Sequence, residues 1–167
     1  VFRGESFRVY TRNELIGVKF GGAVKNVLAI AAGIADGLAL GANARAGLIT
    51  RGLAELTRLG ESCGARGETL VGLSGLGDLV LTCTDDQSRN RRLGLALGRG
   101  ESIDTARERI GQAVEGADTA HVILQAAARA RVEMPICEAV HEILFAELTP
   151  QAAVARLLGR SLKAEVA

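Results

Sequence analysis

The stretch from Phe20 to Leu40 (FGGAVKNVLAIAAGIADGLAL) limits the fold of this chain more than any other. It is apolar, rich in glycine and alanine, and charged only at Lys25 and Asp36. Ten uncharged residues separate those two, too few to cross a bilayer. The run therefore reads as a helix covered by the rest of the chain, and the lysine on it needs a reason. In a helix, Gly22 lies three residues before Lys25, and Ala29 and Ala32 lie four and seven after it. All share one face, so the ammonium should stand over small side chains with space beside it. An ammonium partly removed from water gives up its proton more readily and can act near neutral pH. The plainer reading is a lysine that snorkels from a helix end into water.

The rest of the composition supports a helical domain. The chain has 167 residues, enough for one domain with its own core. Aromatic residues make up 3% and Trp is absent, so alanine and leucine carry the packing. Only Pro135 and Pro150 interrupt the pattern. One short strand is expected at Phe7–Thr11, where apolar and polar residues alternate, followed by a turn or linker at Arg12–Glu14. A lone strand forms no sheet, so its partners are expected before Val1. The only methionine is Met134, which also makes the chain read as part of a longer one.

Successive helices are expected after that strand. The first runs from about Ile16 to Leu40, and the second from Ala44 to about Cys63, with Asn43 as its cap and Arg51–Glu55 as a surface pair. Short helices follow near Glu68–Gly72 and Leu76–Thr82. Ser88 caps a helix to about Leu97, ended by Gly98 and Gly100. Ser102 opens a helix through Ile110, and Glu115–Ala130 is a long alanine-rich one. Pro135 fits the first turn of a helix to about Glu147, and Thr149-Pro150 opens the last, to about Leu158.

Charge and cysteine usage exclude several functions. The net charge is +1, which gives no nucleic-acid or membrane surface. The one dense basic cluster, Arg89, Arg91 and Arg92, suits a single small anion. Cys63, Cys83 and Cys137 are widely spaced and read as buried reduced thiols of a cytoplasmic protein. His121 and His141 have no catalytic partner at a telling spacing and no metal-ligand pattern with a cysteine, so no metal is expected.

Three stretches could carry chemistry. The first is Gly21-Gly22-Ala23-Val24-Lys25-Asn26, in which Asn26 sets a donor and an acceptor beside the lysine. In the second, Gly75-Leu76-Gly77-Asp78-Leu79-Val80-Leu81-Thr82, glycines before Asp78 allow a tight turn that delivers its carboxylate to a site. Thr82 shares a helical face with it. Alternatively, Asp78 only caps a helix. The third, Ser88-Arg89-Asn90-Arg91-Arg92, lies at a helix start, where free amides and the dipole favour an anion and a guanidinium adds a fork for phosphate. An ordinary capped helix with a solvated basic face is the alternative.

Together and in this order, GGAVKNVLAIAAGIADGL, NARAGLITRGLAELTRLG, GLGDLVLTCT, SRNRRLGLALG and AVEG resemble the C-terminal half of bacterial-type NAD(P)-dependent glycerol-3-phosphate dehydrogenases, over about Val9 to Leu158. The resemblance implies an all-α, multi-helix domain of the 6-phosphogluconate-dehydrogenase-like type (residues 16–167). Residues 1–15 would hold a remnant strand and linker from a missing Rossmann domain, and the GxGxxG loop of such a domain is absent here. It further implies interconversion of sn-glycerol 3-phosphate and dihydroxyacetone phosphate with NAD or NADP, feeding glycerophospholipid synthesis in the cytoplasm, by a homodimer. Lys25 would be the acid–base residue at the C2 oxygen. Asp78, Asn26 and Thr82 would line the same site, Ser88, Arg89 and Asn90 would bind substrate, and Arg89, Ala113 and Glu115 would touch the cofactor. The chain alone would be inert. Two other readings stay open: the substrate domain of another small hydroxy-acid reductase, and a non-catalytic helical domain for dimerisation or binding.

Overall fold

A computed structural model describes residues 3–4, 7–11 and 13–160. Among these residues nine α-helices, α1 to α9, make an all-α domain: Leu15–Gly37, Gly41–Ser62, Gly67–Leu70, Asp78–Thr84, Arg89–Gly98, Ile103–Ile110, Glu115–Ala130, Pro135–Phe145 and Pro150–Leu158. The expected strand differs from what is found. It is confined to Phe7–Arg8 (β2) and pairs antiparallel with Arg3–Gly4 (β1) in the same chain. Among the described residues the ribbon has two residues a side, and Val9–Thr11 fall outside it.

α1 is the axis of the domain and packs against α2, α4, α5, α7 and α8. It starts where Glu14 turns back to accept a hydrogen bond from the Gly17 amide at 2.7 Å. That bond holds the Glu14 carboxyl below its usual range. Among the described residues, α1 is the one helix long and apolar enough to cross a membrane by length and composition. Its apolar side is taken up inside the protein instead: Val24, Val27, Leu28, Ile30 and Ile34 are buried against Leu56, Leu59, Leu79, Leu93 and Met134. Burial of this kind is worth roughly 1.5–3 kcal/mol for each large aliphatic side chain.

The α1–α5 contact sets the position of everything functional. Gly33 and Gly37 on α1 meet Gly94 and Gly98 on α5, each pair spaced by one helical turn. A Cβ on Gly33 would lie 2.8 Å from the Leu95 nitrogen and 2.9 Å from the Gly94 α-carbon. One on Gly98 would lie 2.9 Å from the Gly37 α-carbon. The two backbones thus touch, which only glycine permits. Gly98 is therefore a packing residue at the end of α5 as well as its last residue.

Several local expectations change. Asn43 lies inside α2, which begins at Gly41 after Leu40, so it caps nothing. The second glycine stretch forms a π turn, Leu73–Gly77, before α4. A Gly75 side chain would run into the Leu70 carbonyl, which accounts for the glycine there. α8 stops at Phe145. Cys63 is exposed, while Cys83 and Cys137 are buried and all three are free thiols. Burial pushes Cys83 up to about 12, so it is no nucleophile.

Glu55 departs most from its expected place. It does not pair with Arg51 on the surface. It is 2% exposed and accepts hydrogen bonds from the amides of Ile136 at 2.8 Å and Cys137 at 3.3 Å. A carboxylate from α2 thereby satisfies the free amides at the start of α8. Burial nevertheless pushes its pKa up to about 7, against those two bonds.

Candidate functional site

Lys25 and Asp78 form an ion pair between α1 and the first turn of α4. Their side chains keep 21% and 35% of their exposure, so the pair is shielded yet reachable from solvent. Asp78 directs its carboxylate to Lys25 and caps no backbone amide. Thr82, one turn on, donates to the Asp78 backbone carbonyl at 2.6 Å and lies 3.4 Å from its carboxylate. The small-residue face around Lys25 divides in two. A side chain on Gly22 would meet open space, whereas Ala29 and Ala32 are fully buried in the core.

Thr82, 3.4 Å from the Asp78 carboxylate, also lines an open groove of about 310 Å³, with Asn26, Asp85, Ser88, Arg89, Asn90 and Glu115 among its other walls; Lys25 and Asp78 themselves do not line it. Five of the residues singled out in the sequence thus line it from α1, α4 and the start of α5, with Glu115 from α7. The loop before α5 is tied by Gln87, whose amide donates to Asp85 at 2.8 Å.

Three of the groove's polar side chains, Ser88, Arg89 and Asn90, have donors to offer, while Asp85 and Glu115 bring carboxylates. The Ser88 hydroxyl oxygen caps α5 by accepting from the Arg91 amide at 3.3 Å, which leaves its O–H free to donate. The Asn90 carbonyl oxygen is taken by the Gly116 amide at 2.9 Å, which leaves its NH₂ to donate. Gly116 must be glycine, because a Cβ there would lie 2.6 Å from that Asn90 oxygen and 2.7 Å from the Asn26 carbonyl. Asn26 and Arg89 both lean on Glu115, at 3.4 and 3.6 Å, and Arg89 also reaches Gln112 at 3.4 Å. These are exposed contacts of little strength, easily exchanged for a ligand.

The arginine cluster separates into three environments. Arg89 stands at the groove and Arg92 faces solvent. Arg91 is buried and bonded to Asp36 and Asp86, so it offers nothing to an anion. Ala113 is exposed and lines a different, smaller cleft with Arg107, Gln112 and Asp118. Gln112 escaped notice in the sequence, since nothing local marks an exposed glutamine, and Gly116 was noted only as the last residue of AVEG.

His121 and His141 lie on α7 and α8 with ring nitrogens 3.4 Å apart, and Gln125 bonds the first at 2.9 Å. They partner each other and are away from the groove. Among the described residues there is no cluster of three metal-binding side chains.

An ammonium–carboxylate pair joined through Thr82 to a groove whose Ser88, Arg89 and Asn90 can donate suits a small anion with an oxygen to protonate or deprotonate, held away from the Asp85 and Glu115 carboxylates of the same groove.

Comparison with known proteins agrees with this chemistry. Residues 14–155 match the family model described as NAD-dependent glycerol-3-phosphate dehydrogenase C-terminus. A glycerol-3-phosphate dehydrogenase [NAD(P)+] of Thioalkalivibrio sulfidiphilus is 66% identical over 98% of this chain and 49% of its own length. One from Nitrosococcus oceani is 62% identical over 98% and 48%. The crystal structure of a glycerol-3-phosphate dehydrogenase from Coxiella burnetii superposes with a TM-score of 0.91 at 56% identity, covering 95% of this chain and 49% of that one. A yeast glycerol-3-phosphate dehydrogenase gives 0.75 at 27%, covering 92% and 50%. The chain spans about half the length of the relatives it matches.

Proposed function

This chain belongs to the NAD-dependent glycerol-3-phosphate dehydrogenase C-terminal family, and we propose that it supplies the substrate-binding and proton-transferring half of such an enzyme. The substrate pair is sn-glycerol 3-phosphate and dihydroxyacetone phosphate. Residues 1–15 belong with the dinucleotide-binding half, and residues 16–167 form the substrate domain. The observation that carries this reading is the Lys25–Asp78 pair, joined through Thr82 to the groove that holds Ser88, Arg89 and Asn90.

NAD or NADP, bound mainly by the other half, would supply the hydride chemistry at the substrate's C2 carbon. This chain's own part is to bind, orient and move a proton. In reduction, the Lys25 ammonium donates a proton to the C2 oxygen as it gains negative charge; in oxidation, the neutral amine removes the hydroxyl proton. Asp78 holds the ammonium in place, and Thr82 braces the turn that presents Asp78. Proton transfer of this kind is worth about 10²–10⁴-fold. The Ser88 hydroxyl, the Asn90 amide and the Arg89 guanidinium grip the phosphate, and Asn26 lies between the two ends. Arg89, Glu115 and Ala113 are the residues of this half that would touch such a cofactor.

Free thiols at Cys63, Cys83 and Cys137 fit a reducing cytoplasm, and the working unit is a homodimer, which light scattering of the intact enzyme tests. The deciding experiment places this chain behind its dinucleotide-binding half and follows NADH and NADPH oxidation with dihydroxyacetone phosphate. Turnover is expected from the joined protein and none from the 167-residue chain. A joined, folded protein without turnover on this substrate sinks the reading.

A further inference from the structure

Asp36 is the other charge of the apolar run that carries Lys25, three helical turns further along α1. Its carboxylate takes two guanidiniums. Arg45 Nη1 of α2 lies 2.9 and 2.8 Å from its two oxygens, and Arg91 Nη1 of α5 lies 2.6 Å from Oδ2. Arg91 also sends its Nε to Asp86 at 3.0 Å, in the loop that leads to Ser88. The side chains of Arg91 and Asp36 are 8% and 11% exposed, and neither lines the groove.

Arg91 nevertheless follows Arg89 and Asn90 directly, and its backbone amide closes the Ser88 cap. One residue thus holds the first turn of α5 at two points, with its amide on Ser88 and its guanidinium bridging α1 and the preceding loop. The glycine contact between α1 and α5 already holds the helices together, and buried ion pairs contribute little to net stability over apolar packing. A directional pair adds what apolar contact lacks: it fixes the rotation of α5 about its axis. Consecutive helical residues point about 100° apart, so a small rotation would swing Arg89 and Asn90 off the groove.

We propose that Asp36, acting through Arg91, is a positioning residue for the phosphate-gripping turn Ser88–Asn90. This rests on the phosphate-end reading of that turn given above. A neutral Asp36 leaves the turn in place on average but loosens its aim, so affinity for the phosphate end falls while proton transfer at Lys25 continues.

The test compares wild type with Asp36→Asn in the intact two-domain enzyme, using dihydroxyacetone phosphate and unphosphorylated dihydroxyacetone. The expected result is a KM for the phosphorylated substrate raised about tenfold with kcat within about threefold. The preference in kcat/KM for the phosphorylated over the plain substrate should fall by a similar factor. A merely structural role would lower both substrates alike, and that result, or an unchanged preference in a folded variant, overturns the proposal. If Asp36→Asn fails to fold, Arg91→Lys decides. It keeps the charge near Asp36 but loses the second reach to Asp86, and should shift the preference the same way to a smaller extent. A wild-type enzyme indifferent to the phosphate would instead overturn the phosphate-end reading itself, and the positioning role with it.

Discussion

Gly33 of α1 and Gly94 of α5 meet backbone to backbone, and a methyl added to Gly33 would lie 2.9 Å from the Gly94 α-carbon. α1 carries Asn26 and α5 begins at Arg89, so this contact sets the distance between these two walls of the groove.

Substitution at the crossing should therefore cost stability. Gly94→Ala would drive a Cβ into the Ile30 carbonyl and is expected to destabilise by about 1–3 kcal/mol. Gly22→Ala meets open space on the same helix as Gly33 and should stabilise by roughly 0.5–1 kcal/mol. Urea titration of the two variants gives opposite shifts in midpoint; shifts of the same sign would contradict the packing.

The acid–base role of Lys25 is tested in the intact enzyme. Lys25→Ala should lower kcat/KM by at least about a hundredfold. Retention of more than about a tenth of wild-type kcat/KM removes Lys25 from that role. Asp78→Asn, which leaves the ammonium without its partner, should lower kcat more than it changes KM.

Three nearby arginines should give three different results. Arg89→Ala should weaken binding of the phosphorylated substrate by roughly 1.5–3 kcal/mol, read as a raised KM, with melting temperature preserved. Arg91→Ala leaves Asp36 with Arg45 alone and should cost about 3 kcal/mol of stability, read by denaturation. Arg92→Ala, on an exposed side chain, should change both by less than about 0.5 kcal/mol. A stability loss confined to Arg89→Ala would reverse the assignment.

Glu55 makes stability depend on pH. Its carboxyl is raised by burial from 4.5 to about 7 in the folded state, so the folded chain holds this proton where the unfolded chain has lost it. The contribution is whole below about 4.5 and is lost as pH rises toward 7, by at most ~3 kcal/mol. Glu55→Gln cannot titrate and keeps one acceptor for the Ile136 amide. The wild-type stability minus that of Glu55→Gln should fall between pH 4.5 and 7.5. A flat difference would show that the two amide bonds outweigh burial.

Local features of the chain were readable wherever one residue type decides them. The limits of α7 and α9, the caps at Ser88, Ser102 and Thr149, and the all-α class follow from capping, proline placement and composition, which act within a turn of chain. The stretches around Lys25, Asp78 and Ser88–Asn90 could be singled out in the same way, because a lone lysine in an apolar run and glycines before an acid break the surrounding pattern. Partners distant in sequence could not be read. Glu55 looked like half of a surface pair until α8, eighty-one residues away, placed its free amides over it. Asp36 looked like a stray charge until Arg91 reached it across fifty-five residues. Helical periodicity shows which face a residue occupies but not which helix lies against that face. Packing settles that choice, because a buried charge or an empty amide is stable only where the fold brings its complement.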